Sequence, residues 1–186
     1  MTAITIDRDR LWEVSSRTIV YAAIGAALYG VLGLFSFVIP GTQNVSVRPA
    51  FALVPFFGYA FGPIVGFFTG FVGNAIIDQL TGSGFLSFWQ WSLANGVAGL
   101  VAGLAPLYLA DLITRNKILA SIIASVVAVL IGFLVVALDI VLLGVDFNTF
   151  LTANYIPVVI SNLIASVILV PILVAVWDPV REQLGR

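Results

Sequence analysis

The stretch from Thr18 to Ile39 contains 22 residues and not one charged side chain. At a rise of about 1.5 Å per residue, a helix of this length spans a hydrocarbon core of ~30 Å. No other feature constrains the chain as strongly, because so many apolar side chains in a row must lie in lipid or in a protein interior. The run therefore predicts a transmembrane helix.

Small residues recur four positions apart inside this run, at Ala22, Ala23, Ala26, Ala27 and Gly30. This spacing gives a helix a nearly flat stripe that another helix can approach closely. Two interpretations stay open. The stripe packs against other helices of the same chain, or it docks a second membrane protein.

The composition assigns the whole chain to the integral membrane proteins. Of its 186 residues, 61% are hydrophobic and only 9% are charged, whereas a soluble domain has about 25% charged residues. The absence of cysteine and histidine removes disulfides and the commonest zinc ligands. We therefore expect no metal site and no cofactor. Because the chain has no basic cluster, we also expect no nucleic acid partner.

The sequence does not favour an enzyme. It has no GxxxxGK[ST] loop and so cannot hydrolyse ATP by that route. Without His or Cys, only Ser/Lys or paired-Asp schemes remain, and the single lysine, Lys117, lies in a charged connector between two apolar segments. Nor does a series of buried carboxylates cross the membrane to relay protons or sodium ions.

The apolar segments predict an all-α fold, a membrane bundle of six transmembrane helices. The predicted spans are Thr18–Ile39, Phe51–Phe61, Ile64–Leu80, Phe85–Ala110, Ile118–Leu143 and Asn154–Trp177. Residues 50–80 form either one long kinked span or two spans that are joined at Gly62-Pro63, a turn signal. We favour two, because a single helix would measure about 46 Å and exceed the bilayer.

The basic residues predict the orientation. Seven of the eight Lys and Arg residues fall before span one, between spans four and five, or after span six; Arg48 is the exception. In a six-span topology those three segments share one side. Because basic residues concentrate in cytoplasmic loops, we expect both termini in the cytoplasm. The predicted organisation is a cytoplasmic lead (1–16), a six-helix membrane domain (17–178) and a cytoplasmic tail (179–186).

Polar side chains gather at the outer ends of the predicted helices. The candidate binding residues are Asn44, Arg48, Asn74, Asp78, Trp89, Gln90, Asn95, Asp139 and Asn162. Intramembrane Asp and Asn are costly in lipid and usually face a protein interior or a cavity. Amides, carboxylates and aromatic rings together suit a flat, polar organic molecule, which would stack on the rings and hydrogen-bond to the amides.

Simpler roles are open for several of these residues. Asp78 and Asp139 would also be stable at the outer water interface, and Trp89 as an interface anchor. Arg48 would serve equally as a loop residue or as an ion-pair partner of one of the two acids. Asn162 would suit an interhelical hydrogen bond, worth about 0.6 kcal/mol.

Two stretches resemble one known family. They are AAIGAALYG in the first span and VRPAFALVPFFGYAFGPIVGFFTGFVGNAIIDQL over residues 47–80. Together with the size and the six-span pattern, they resemble the S component of an energy-coupling factor (ECF) vitamin transporter. The polar loop, short second span, Gly-Pro turn and third span ending in Gly73, Asn74 and Asp78 most resemble the riboflavin- or cobalamin-type subgroup.

The resemblance implies a substrate-binding subunit in a prokaryotic plasma membrane. Such a subunit captures a water-soluble vitamin or vitamin precursor from outside. It then docks through the small-residue stripe on a transmembrane coupling subunit, and two separate ATPase subunits supply the energy. The resemblance ranks riboflavin-like or corrinoid ligands first. The alternatives are an autonomous small facilitator or channel and a non-transporting membrane scaffold.

Overall fold

The structure is a computed structural model that describes residues 11–183. Most of the predicted cytoplasmic lead, with Arg8 and Arg10, and the C-terminal Arg186 lie outside these residues. The helices are α1 (Ser16–Leu32), α2 (Leu53–Phe61), α3 (Pro63–Leu80), α4 (Trp89–Gly103), α5 (Ala105–Arg115), α6 (Lys117–Gly132), α7 (Leu138–Leu142), α8 (Phe147–Thr149) and α9 (Ile156–Gln183). The predicted all-α class is thus confirmed, apart from one short β-hairpin.

Helix α1 is shorter than the predicted first span. It begins after Ser15, whose side chain caps the first turn, and it ends at Leu32 with Gly33 as its C-cap. The chain then forms a hairpin of β1 (Phe37–Val38) and β2 (Ser46–Val47). The prediction of a helix as far as Ile39 is therefore wrong, because the last residues of the run pair their backbone with a later strand.

The predicted division at Gly62-Pro63 is confirmed as a break between two helices. Helix α2 ends at Phe61, and α3 begins at Pro63. Gly62 adopts a φ of 103°, which favours glycine over any residue with a side chain. Proline fits at the first position of α3, because the N–H that it lacks would have no partner inside the helix.

Three described helical segments are long and apolar enough to cross a membrane: Pro63–Leu80, Lys117–Leu142 and Phe147–Gln183. The pair α4 and α5, bent by 48°, would add a fourth. The bend breaks the predicted fourth span at Leu104. Helix α1 and the segment Pro49–Phe61 are apolar but shorter. The six-span count and the cytoplasmic termini therefore stay predictions.

The last helix runs further than expected. The predicted sixth span ends at Trp177, but α9 continues through Asp178 and Pro179 to Gln183. Asp178 forms an ion pair of 2.9 Å with Lys117 at the start of α6. This contact ties the final turns of α9 to a neighbouring helix. A six-residue π-helix, Phe150–Tyr155, leads into α9 at its other end.

Glycines allow the central helices to pack backbone against backbone. On α3 and α4, Gly66 and Gly99 face each other so closely that a Cβ on either would overlap the other's carbonyl oxygen. Gly70 of α3 meets the backbone of Asn95 in the same way, and Gly73 packs on Tyr29 of α1. This packing fixes the polar residues of α3 beside those of α4.

Three segments with predicted cytoplasmic positions lie together at one end of the bundle. The hydroxyl of Tyr59, near the Gly62 turn, donates to the backbone oxygen of Lys117 at 2.9 Å. Lys117, in turn, contacts Asp178. The turn between α2 and α3, the connector before α6 and the last turns of α9 therefore meet. The hairpin and the candidate binding residues lie towards the other end of α3.

Candidate functional site

A cavity of about 420 Å³ opens beside the hairpin, between α3, α4, α7 and the π-helix. Its lining consists of Thr42, Gln43, Asn44, Arg48, Asn74, Asp78, Ser83, Phe88, Trp91, Asp139, Leu143 and Asn154. The volume falls within the range of about 300–1,000 Å³ that is usual for small-molecule sites. The lining combines one guanidinium, two carboxyl groups, four side-chain amides and two aromatic rings.

The first polar network is centred on Asn74 of α3 and also includes Arg48 and, on α4, Ser92. Asn74 and Asp78 are one turn apart and therefore share a face. Arg48 Nη1 donates to Asn74 Oδ1 at 2.8 Å. Asn74 Nδ2 donates to Asp78 Oδ2 at 2.8 Å and to the hydroxyl of Ser92 at 3.1 Å. Asn74 thus uses both ends of its amide to hold Arg48 and Asp78 next to each other.

The second network surrounds Asp139, which is only 2% exposed. Gln90 Nε2 donates to Oδ1 at 2.7 Å. Trp91 Nε1 and Asn154 Nδ2 donate to Oδ2 at 3.0 and 3.2 Å. A buried carboxylate is costly unless hydrogen bonds replace its water, and here three donors do so. The network joins α4, α7 and the π-helix.

A smaller cavity of about 40 Å³ adjoins the first and shares Asn44, Arg48 and Trp91 with it. Tyr29, Asn95 and Asn162 are also among its lining residues. The Tyr29 hydroxyl donates to Asn95 Oδ1 at 2.9 Å, and Asn95 Nδ2 donates to the backbone oxygen of Trp91 at 2.8 Å. Its size suits a water molecule or a small substituent of a larger ligand.

The structure brings together most of the predicted binding residues. Asn44, Arg48, Asn74, Asp78 and Asp139 line the larger cavity, and Asn95 and Asn162 line the smaller one. Gln90 is buried behind the wall and reaches Asp139. Trp89 is 39% exposed and is not among the lining residues of either cavity. The binding role of the whole set stays a prediction.

Seven residues that line the larger cavity were not among the candidates, and two of them, Trp91 and Asn154, donate hydrogen bonds to Asp139. Trp91 is four residues before Asn95 and therefore lies on the same face of α4. Trp89 is only two residues away and has the same side chain, so residue type does not indicate which tryptophan lines the cavity. Helix phase alone distinguishes the two tryptophans. Asn154 lies in the π-helix, whose wider turn changes the direction of its side chains relative to an α-helix. Nothing in the sequence marks that change.

The small-residue stripe of α1 divides between two faces. Ala26 and Gly30 are buried. A Cβ on Gly30 would meet Ile76 of α3, and Gly73 of α3 lies against the backbone of Ala26. Ala23 and Ala27 are exposed, and Ala22 is half-buried. Part of the stripe therefore packs within the chain, and part of it faces outwards.

Comparison with known proteins identifies the family. The family model described as "ECF-type riboflavin transporter, S component" matches residues 13–178. The chain is 42% identical over 106 residues to a UPF0397 protein of Aliivibrio fischeri strain MJ11, covering 57% of this chain and 54% of that protein. A UPF0397 protein of Vibrio atlanticus strain LGP32 is 41% identical over 104 residues, covering 56% and 53%.

The matched part spans about half the length of these curated relatives. No solved structure matches the chain. The family consists of transporter subunits rather than enzymes. Because the family model covers nearly all of the described residues, the chain belongs to the S components of ECF-type transporters, in the family described as the riboflavin transporter S component.

Proposed function

We propose that the chain captures a water-soluble vitamin or vitamin precursor in the cavity of about 420 Å³. The observation that carries the proposal is a pair of buried polar networks, around Asn74 and around Asp139, inside a predominantly apolar bundle. Polar and ionisable groups are costly in such surroundings and usually mark the path or the site of a substrate. Membership in an S-component family supports the same conclusion.

The lining favours a neutral or cationic heteroaromatic ligand. Arg48 contributes one positive charge, and Asp78 and Asp139 contribute two carboxyl groups, so a polyanion such as folate is disfavoured. Phe88 and Trp91 offer rings on which a flat molecule can stack. The volume lies in the lower part of the usual range. It suits a flavin better than the much larger corrinoids, and the family description also names riboflavin.

The transport cycle that we propose needs partners. The chain would capture its ligand outside a prokaryotic cell and dock on a coupling subunit, and two ATPase subunits would drive release into the cytoplasm. The exposed Ala23 and Ala27 of α1 support the docking step, because small side chains let a partner helix approach closely. The grouping of Lys117 with the end of α9, away from the cavity, agrees with cytoplasmic termini.

Ligand binding by the purified full chain tests the capture step. In detergent, we expect riboflavin to bind with a stoichiometry of one and to lose fluorescence as it stacks on aromatic side chains. A thermal-shift screen with flavins, corrinoids, thiamine precursors, biotin, folate and pyridoxine identifies the ligand if it is not riboflavin. A chain that binds none of them would favour the scaffold alternative.

Reconstitution in liposomes tests the need for partners. We expect uptake of the ligand only when the coupling subunit, the ATPases and ATP are all present. The chain alone should bind ligand at the membrane surface without accumulating it in the lumen. Uptake by the chain alone would contradict the proposal and favour the facilitator alternative.

A further inference from the structure

The carboxyl groups of Asp78 and Asp139, which both line the cavity, differ in whether an oxygen remains free to bond a ligand. Both oxygens of Asp139 accept hydrogen bonds from the protein. Asp78 accepts one from Asn74 on Oδ2, with Ser92 close by as a weaker donor. Among residues 11–183, no hydrogen bond reaches Asp78 Oδ1, and this oxygen is not one of the buried atoms without a partner. It therefore faces the cavity.

The guanidinium of Arg48, which has N–H donors that the protein does not use, lies beside the free oxygen of Asp78. Arg48 has five N–H groups, and within the described residues it makes one hydrogen bond by distance and angle, through Nη1 to Asn74. Its Nε is buried without an acceptor and is closed to a ligand, whereas Nη2 is neither hydrogen-bonded within the described residues nor among the buried atoms without a partner, so Nη2 is the donor left for a ligand. Because Asn74 bonds to both neighbours, the guanidinium of Arg48 and the carboxyl of Asp78 are held at fixed positions on one wall.

We propose that this wall recognises one edge of a planar heterocycle, an inference that rests on the proposed function. That edge carries both an N–H donor and an acceptor, as in a lactam, an imide or an aminopyrimidine. Asp78 accepts the N–H through Oδ1, and Arg48 donates to the carbonyl oxygen or ring nitrogen. A site built to bond such an edge rejects analogues that lack the donor, because its own polar group would then be left unpaired.

Asp139 has a different role in this arrangement. It is a positioning residue, because its hydrogen bonds are used within the protein and fix the ring of Trp91. The backbone oxygen of Trp91 is held as well, by Asn95. With both its indole N–H and its backbone fixed, Trp91 presents one ring orientation to the cavity, against which the flat face of the heterocycle lies.

The substitution Asp78→Asn tests the direct contact sharply. The side-chain oxygen of the new asparagine would accept from Asn74, as Asp78 Oδ2 does now. Its NH2 group would then point into the cavity and oppose the ligand's N–H. We expect riboflavin to bind at least tenfold more weakly. N3-methylriboflavin, which lacks the donor, should bind the wild type at least tenfold more weakly than riboflavin and should lose less than twofold on the substitution.

Asp139→Asn is the matched control. It should weaken riboflavin and N3-methylriboflavin by the same factor, lower the melting temperature and shift tryptophan fluorescence, since it acts through Trp91. Both variants are first shown to be monodisperse in detergent. The inference is overturned if N3-methylriboflavin binds the wild type as tightly as riboflavin, or if Asp78→Asn weakens both flavins equally.

Failure of the proposed function would give different binding results from failure of this inference. If the wild type binds no flavin, the comparison is made with the heterocycle that the thermal-shift screen identifies and its N-methyl derivative. A chain whose ligand lacks an N–H donor overturns the inference but leaves capture intact. A chain that binds no member of the screen overturns both.

Discussion

The indole N–H of Trp91 donates to Oδ2 of Asp139 at 3.0 Å, which joins two residues that are 48 positions apart in the sequence. Trp91 lines both cavities, whereas Asp139 is nearly inaccessible. The bond thus connects the ligand-facing wall to the interior of the bundle. A change at either residue should affect both binding and stability.

Trp91→Phe removes this hydrogen bond and keeps an aromatic ring. Asp139 would retain two donors instead of three, and the loss of a hydrogen bond to a buried charged group costs about 1–3 kcal/mol. We expect a lower melting temperature in detergent and weaker ligand binding. Differential scanning fluorimetry and a riboflavin titration measure the two effects.

Trp89→Phe is the control for this prediction. Trp89 lies two residues away on the same helix, is 39% exposed and makes no hydrogen bond to Asp139. Surface substitutions of this kind usually change stability by less than about 0.5 kcal/mol. Equal losses of melting temperature and ligand affinity in both variants would show that the Trp91–Asp139 hydrogen bond adds nothing beyond the general effect of replacing a tryptophan.

The contrast between the two tryptophans shows how far the sequence determines the site. Residue types and their clustering at helix ends were sufficient to predict that Arg48, Asn74, Asp78 and Asp139 share a region. The choice between Trp89 and Trp91 depends on the phase of α4, and that phase depends on the backbone contact of Gly99 with Gly66. Such contacts between distant segments are not visible in a single sequence.

The boundaries of the helices also show which features a single sequence does not reveal. The break at Gly62 was predictable, because Gly-Pro is a turn signal and a single helix over residues 50–80 would exceed the bilayer. The end of α1 was not, because residues 33–39 are as apolar as those before them. The hairpin there depends on backbone pairing, such as the bond from Ile39 N to Val45 O at 2.8 Å, and hydropathy carries no information about that pairing.

The outward face of α1 yields a prediction about docking. Ala23→Trp adds a large side chain to an exposed position, so it should leave folding and ligand binding unchanged but block the approach of a partner helix. We expect ATP-driven uptake by the reconstituted complex to fall at least tenfold. Pull-down of the coupling subunit by the variant measures docking directly.

Ala26→Trp separates docking from packing. Ala26 is 5% exposed and lies against Gly73 of α3, so the larger ring would overpack the interior at a cost of about 1–3 kcal/mol or more. We expect this variant to lose thermal stability and ligand binding together. If Ala23→Trp left uptake unchanged, the assignment of the outward face to docking would be wrong.

We expect the stability of the segment that leads into the π-helix to depend on pH. Asp146 caps α8, where its side chain accepts from the backbone N–H of Thr149 at 3.1 Å. These hydrogen bonds with Thr149 lower the pKa of Asp146 below its usual value. A lowered folded-state pKa means that the cap stabilises the segment above the ordinary Asp pKa of about 3.9 and is lost as pH falls through the folded-state value.

Hydrogen exchange of residues 147–155 measures this cap. At pH 7, Asp146→Ala should exchange faster than the wild type, and Asp146→Asn, which still accepts a hydrogen bond, should exchange at nearly the wild-type rate. At a pH below the folded-state pKa of Asp146, after correction for intrinsic exchange, wild type and Asp146→Ala should converge. Identical exchange at pH 7 in all three proteins would show that the cap does not hold the segment.

The orientation in the membrane can be tested with single cysteines, because the chain has none of its own. Thr81, after α3, and Phe147, before the π-helix, are exposed near the end of the bundle that contains the cavity. Thr114 is exposed near the other end, next to the connector before α6. If the termini and this connector are cytoplasmic, a membrane-impermeant maleimide should label Thr81→Cys and Phe147→Cys in intact cells. Thr114→Cys should react only after permeabilisation. Labelling of Thr114→Cys in intact cells, with protection of the other two, would reverse the orientation and place the cavity on the inner side, where it could not capture a nutrient from outside.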